Sequence, residues 1–156
     1  AGGGRMSGAK LPKAEAVALI RAAFAAREYA YVPYSRFAVG AALREQGGQG
    51  RVFTGCNIEN ASYTPTNCAE RTALFKAVSE GARQFDAIAI VGSKLGERNT
   101  LVTGPCGVCR QALYEFGGPA LAVIMAKSED DYIETTLGEL LPYGFGPQNL
   151  DVDPNR

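Results

Sequence analysis

The sequence predicts an α/β protein, a three-layer α/β/α sandwich around a mixed β-sheet, and three observations carry that prediction. Residues 87–91 and 120–125 are short, almost wholly apolar runs, the pattern of strands covered on both faces. Segments of helical periodicity precede and separate these runs, as expected where helices pack onto a sheet. The chain has 156 residues, 46% of them hydrophobic, enough for one ordinary core and too little for two.

Each element has its own signal. Ala16, Val17, Ile20, Ala23 and Phe24 recur at helical spacing from Pro12 to Tyr31, and the Val32-Pro33 step stops that helix. Phe37, Val39, Ala41 and Leu43 alternate with other residues, and Gly47-Gly48-Gln49-Gly50 turns the chain into a second strand over 52–58, making a hairpin. A second helix starts near Cys68 and closes at Glu80-Gly81. After the apolar strand 87–91, a third helix over 106–116 ends at Gly117-Gly118-Pro119 and leads into the strand 120–125. Residues 137–141 form a last short helix before Pro142. The expected organisation is a disordered tail or expression scar over 1–11, a single domain over 12–147, and a tail over 148–156. There is no internal repeat and no low-complexity linker.

Charge and composition exclude several functions. Sixteen Lys plus Arg balance sixteen Asp plus Glu, so there is no global field to hold a phosphate backbone or an anionic membrane surface. Neither a nucleic acid nor a membrane is expected as partner. The sequence has no apolar run of about 18 residues and no apolar signal core near its start, which points to the cytoplasm. It also has no histidine. That removes Ser-His-Asp and Cys-His nucleophilic devices, histidine-ligated metals and the commonest general base near neutral pH. In a reducing compartment Cys56, Cys68, Cys106 and Cys109 read as metal ligands or redox thiols rather than disulfides.

Pro105-Cys-Gly-Val-Cys109 opens the third helix, and its spacing puts two thiolates on one side of the first turn. A third thiolate from Cys68, at the start of the second helix, completes three soft ligands. Such a set favours Zn²⁺ and leaves the fourth tetrahedral position for water. Glu70, two residues after Cys68, can reach back to that water. The pattern C-x-E with P-C-x-x-C downstream is the thiolate version of the zinc-deaminase signature. Three thiolates leave the ion with a net negative charge and weaken it as an acid. Helix N-termini and a nearby cation, Arg71 in preference to Arg110, would compensate.

Plainer readings exist for each residue. A C-x-x-C pair also serves redox chemistry, and Cys56 would close a structural four-cysteine site. Cys56 also reads as a small buried residue. Glu70 also fits the third helical position of a capping box begun at Asn67, and the arginines also fit solvated helix positions. The coincidence of Cys68, Glu70, Pro105, Cys106 and Cys109 favours catalysis.

Thr54-Gly-Cys-Asn-Ile-Glu-Asn-Ala-Ser-Tyr63, Asn67-Cys-Ala-Glu-Arg-Thr72 and Pro105-Cys-Gly-Val-Cys-Arg-Gln111 resemble the small homotetrameric cytidine deaminases. The similarity runs from about residue 13 to 147 and includes Pro33-Tyr-Ser-Arg-Phe37 and Leu140-Leu-Pro-Tyr-Gly-Phe145. The resemblance implies a three-layer α/β/α fold and zinc-dependent hydrolytic deamination of cytidine and deoxycytidine, with one Zn²⁺ per subunit; the alternatives are a structural zinc or redox module and a relative that deaminates another cytosine-containing nucleoside. It also implies that Cys68, Cys106 and Cys109 ligate the zinc and that Glu70 shuttles protons. Asn57 and Glu59 would bind the ribose and Phe37 would wall the base pocket, while the backbone around Ala69 would orient the base. Ala61, Tyr63 and Phe145 would complete sites across the subunit boundaries of a homotetramer. Independently of the resemblance, a carboxylate at Glu59 beside a ribose hydroxyl repels a phosphate attached there and favours a free nucleoside.

Overall fold

The computed structural model describes residues 10–47 and 50–154. Its elements are α1 (Lys13–Arg27), β1 (Phe37–Glu45), β2 (Val52–Cys56), α2 (Ala69–Ser79), β3 (Phe85–Lys94), α3 (Gly107–Gly117), β4 (Ala122–Ser128), β5 (Asp131–Thr136) and α4 (Leu137–Leu140), with a 3₁₀ turn at Pro147–Leu150. The strands form one sheet in the order β2-β1-β3-β4-β5. Among the five strands described, β3–β4 is the one parallel pair, and α3 is its crossover connection. The sheet is therefore mixed, as the sequence predicts.

Alternation along the central strands divides the core into two layers. Ala41, Leu43, Ile88, Ile90 and Val123 face one cluster with Ala69, Ala73 and Leu74 of α2 and Leu113 of α3. Ala42, Ala87, Ala89, Val91, Ala122 and Ile124 face the other, with Ala16, Leu19, Ile20 and Ala23 of α1. Helices thus cover both faces, which is why 87–91 reads as unbroken apolar sequence. The helices α2 and α3 share one face, and their first turns meet there.

Several boundaries differ from the sequence reading. The first helix ends at Arg27 rather than Tyr31, because Tyr31 pairs instead with Ile58 in an isolated parallel bridge, its N–H donating to Asn57 O at 3.0 Å. The hairpin's second strand ends at Cys56; Ile58 makes only isolated bridges, to Tyr31 and Asn67. In the expected hairpin turn, Gly48 and Gln49 lie outside the described residues, as do residues 1–9 of the expected N-terminal tail and 155–156 of the C-terminal one. Leu11, assigned to the tail, is buried, and its N–H donates to the Glu134 carboxylate at 3.0 Å. Strand β5 is absent from the sequence reading. It is an edge strand with polar, half-exposed residues, and Tyr132 is its contribution to the core.

Among the described residues, no helix is long and apolar enough to cross a membrane.

Candidate metal centre and active site

Two helix starts build the centre. Cys68 is the N-cap of α2 and Cys106 the N-cap of α3, both with extended backbone, and neither side chain caps its own helix. Cys109 follows in the first turn of α3 and is fully buried. The three Sγ atoms lie within 4.8 Å of one another, and Cys68 Sγ stands 3.8 Å from Cys106 Sγ. A tetrahedral ion with Zn–S bonds of about 2.3 Å needs S···S edges of about 3.8 Å, so the three thiols suit zinc chemically and the Cys68–Cys106 edge matches that length. Cys56, on β2, is not part of this cluster, so the four-cysteine alternative is not what the fold assembles.

The approach of α2 to the sheet sets the position of Cys68. A Cβ on Gly55 would stand 2.5 Å from Ala73 N and 2.6 Å from Ala69 O. Only a residue without a side chain lets the backbone of α2 lie this close to β2.

Electrostatics at the sulfurs follow from their neighbours. Hydrogen bonding from Cys109, aided by Arg71 and Cys106, brings the Cys68 thiol down to about 5 against the opposing effect of burial. The same contact with Cys68, together with burial, pushes the Cys109 thiol up. Arg71 Nη2 donates to Cys68 Sγ at 3.3 Å, and its buried Nε finds no hydrogen-bond partner among the described residues. A guanidinium with an unsatisfied buried N–H is suited to a neighbourhood of thiolates. Arg110 behaves differently. Its Nε donates to Pro105 O and its Nη1 to Leu140 O, both at 2.7 Å, so it ties the start of α3 to the end of α4.

Glu70 is buried in the first turn of α2, at 4% exposure. Burial pushes its carboxyl up to about 7, with the Cys68 charge adding to the rise. The capping-box reading does not survive: α2 begins at Ala69, which makes Glu70 its second residue, and Asn67 Nδ2 donates to Thr72 Oγ1 at 3.2 Å instead.

The remaining candidate residues lie on β1, in the 57–67 loop, on α2 and near the C-terminus. Asn57 continues the strand ladder with its side chain, accepting from Val39 N at 2.9 Å and donating to Phe37 O at 2.8 Å. It thereby fixes the start of β1, where Phe37 is half-buried. Glu59 Oε1 accepts from Tyr34 N at 2.9 Å and Ser35 N at 3.1 Å. Hydrogen bonds from the Ser35 hydroxyl and from these two N–H groups hold the Glu59 carboxyl below its usual range. Ile58 and Asn67 exchange backbone hydrogen bonds of 3.0 and 2.9 Å, closing the loop that displays Ala61 and Tyr63, both exposed. Ala69 is fully buried at the start of α2, and Phe145, beyond α4, is 56% exposed. The sequence reading missed Tyr34 and Ser35, which hold Glu59. Tyr34 also stacks edge-on against Tyr63, with ring centroids 6.1 Å apart. The one available signal was the polar Tyr-Ser-Arg turn before β1, where Arg36 adopts φ 61°.

Fold and site together define an α/β/α protein with three cysteines at two helix N-termini positioned to hold one metal ion, and a buried carboxyl group in the first turn of one of those helices. Residues 13–126 match the model of the cytidine and deoxycytidylate deaminase zinc-binding region, and the chain belongs to that family. It is 49% identical over 125 residues to a cytidine deaminase of Sporosarcina psychrophila, covering 80% of this chain and 87% of that protein. Identity is also 49% over 133 residues with a cytidine deaminase of Halalkalibacterium halodurans, covering 85% and 96% of the two chains. The crystal structure of a cytidine deaminase from Burkholderia pseudomallei superposes with a TM-score of 0.72 at 52% identity, over 82% of this chain and 97% of that one.

Proposed function

We infer that the protein is a zinc-dependent cytidine deaminase, hydrolysing cytidine and deoxycytidine to uridine and deoxyuridine with release of ammonia. The observation that carries this reading is the buried carboxyl of Glu70 in the first turn of α2, the helix that Cys68 caps, beside three sulfurs brought together from the starts of α2 and α3. Cys68, Cys106 and Cys109 hold zinc, which when bound supplies Lewis-acid activation of water. Glu70 does the proton work. It takes a proton from the attacking water and delivers it to N3 of the pyrimidine, which makes C4 electrophilic. After addition of the water oxygen at C4, Glu70 takes the remaining proton from the new C4 hydroxyl and passes it to the amino group, the C4–N bond breaks as the C4 carbonyl forms, and ammonia leaves. A carboxyl held near neutrality by burial suits a group that must both accept and donate.

Asn57 and Glu59 bind the ribose, Phe37 walls the base and the Ala69 backbone orients it. Arg71 offsets thiolate charge through its bond to Cys68. The bonds that fix Glu59 to the Tyr34–Ser35 backbone support a preorganised acceptor for a sugar hydroxyl. Its negative charge favours a nucleoside over a nucleotide or a strand. The exposure of Ala61, Tyr63 and Phe145 supports a homotetramer in which these residues complete neighbouring sites. The four cysteines, none of them paired in a disulfide, support action in a reducing compartment such as the cytoplasm.

Loss of cytidine absorbance with and without a zinc chelator tests the activity, and competition among cytidine, deoxycytidine, CMP and an oligonucleotide tests the substrate class. Glu70→Gln retains fold and zinc while turnover falls by about 10²–10⁴-fold. A variant of near-normal rate overturns the role given to Glu70.

A further inference from the structure

The helix that carries Cys106 and Cys109 also grips the chain around Phe145. Arg110 Nη1 holds Leu140 O at 2.7 Å, and Gln111 Nε2 donates to Phe145 O at 2.9 Å. One turn further along α3, on the same face as Gln111, the Tyr114 ring lies against both glycines that flank Phe145. A Cβ on Gly144 would come within 2.7 Å of Tyr114 Cε2, and one on Gly146 within 3.0 Å of Tyr114 Cε1. Side-chain-free residues before and after Phe145 let this ring wedge under the segment. Just upstream, Tyr143 is fully exposed with φ 56°, a strained conformation for a bulky residue that persists only where neighbouring contacts impose it. A cleft of about 160 Å³, lined in part by Gln111, Phe145, Leu150 and Val152, adjoins the segment. It offers the chain somewhere to move once the wedge is removed.

We propose that Tyr114 is a positioning residue for Phe145: its ring, seated between Gly144 and Gly146, sets where the Phe145 aromatic stands and so tunes affinity for the nucleoside rather than the rate of the chemical step. This rests on the reading that Phe145 completes a substrate site. Tyr114 lies outside the centre that binds metal and moves protons, so its contribution enters through KM.

The test compares the zinc-loaded enzyme with Phe145→Ala, Tyr114→Ala, Tyr114→Phe, Gly144→Ala and the double variant Tyr114→Ala/Phe145→Ala, reading KM and kcat for cytidine together with zinc content. Phe145→Ala raises KM about fivefold to tenfold, the loss expected of one aromatic contact. Tyr114→Ala raises KM similarly with kcat and zinc content kept, the double variant loses no more than Phe145→Ala alone, and Tyr114→Phe restores parental KM because the ring is what makes the contact. Gly144→Ala pushes the ring from the opposite side and raises KM as well, so the proposal remains testable if Tyr114→Ala fails to fold. If Phe145→Ala raises KM while Tyr114→Ala and Gly144→Ala leave it unchanged, the positioning role is overturned. A fall in kcat or zinc content on changing Tyr114 also overturns it, in favour of a purely structural role. A parental KM in Phe145→Ala refutes the underlying reading of Phe145 itself, and the proposal falls with it.

Discussion

Gly55→Ala tests whether the seating of α2 on β2 sets the metal centre. The added Cβ would lie 2.5 Å from Ala73 N and 2.6 Å from Ala69 O, where an unstrained contact needs about 3.5 Å. Both obstacles are backbone, so relief requires α2 to retreat, or β2 to bend, by about 1 Å. Overpacking of this kind costs about 1–3 kcal/mol, which for a domain of this size lowers Tm by about 3–10 °C. A functional loss accompanies the loss of stability, because Ala69 sits between Cys68 and Glu70 at the displaced end of the helix. Misplacing catalytic groups by about 1 Å costs on the order of 100-fold in rate. Thermal unfolding, zinc stoichiometry and kcat/KM for cytidine measure the three consequences. Gly107→Ala, whose Cβ meets nothing within 4 Å, is the stability control. A Gly55→Ala protein with parental Tm and kcat/KM within about twofold of parent refutes the reasoning.

Three further outcomes follow from the same geometry. Arg71→Gln removes the cation bonded to Cys68 Sγ and weakens zinc binding by about 10–100-fold, measured by competition with a chromophoric chelator; unchanged affinity removes Arg71 from the centre. Cys56→Ser leaves one zinc per chain, because Cys56 lies outside the sulfur cluster; metal analysis of the purified variant decides this. Asn57→Ala strips the side-chain bonds to Val39 N and Phe37 O and costs about 1–3 kcal/mol for the groups left unpaired, read as a lower denaturation midpoint with a raised KM.

The layering of the fold was legible because the central strands are buried on both faces, so that residues 87–91 carry no polar interruption to confuse the pattern. The edge was not. In β5, Asp131, Tyr132, Glu134 and two threonines lack a clean apolar alternation, since an edge strand over a small core contributes little more than the Tyr132 ring. The end of α1 was misplaced for a related reason. Helical periodicity continues through Tyr31, but a long-range bridge to Ile58 captures that residue, and no local signal reports a partner so distant in sequence. The meeting of Cys68, Cys106 and Cys109 was legible because metal chelation demands particular atoms at particular spacings. Tyr34, Ser35, Gly55 and Tyr114 were not, because a backbone donor, a close approach and a wedge are defined only once the chain has folded.

The absence of histidine makes the charge balance at the centre a matter of fold rather than composition. Three thiolates outweigh a divalent ion by one charge, and Glu70 adds another when ionised, in a site where burial makes uncompensated charge costly. No single side chain meets this demand. Arg71 faces Cys68 directly, while Cys68 and Cys106 sit at the N-caps of α2 and α3, so two helix dipoles also point their positive ends at the sulfurs. Arg110, the second candidate that the sequence offers after Arg71, is spent on the carbonyls of Pro105 and Leu140. It acts on the centre by holding the start of α3 in place, so that both dipoles converge on the same three sulfurs. Convergence of the helices therefore supplies both the geometry that selects the ion and part of the charge that makes a sulfur-rich site tolerable.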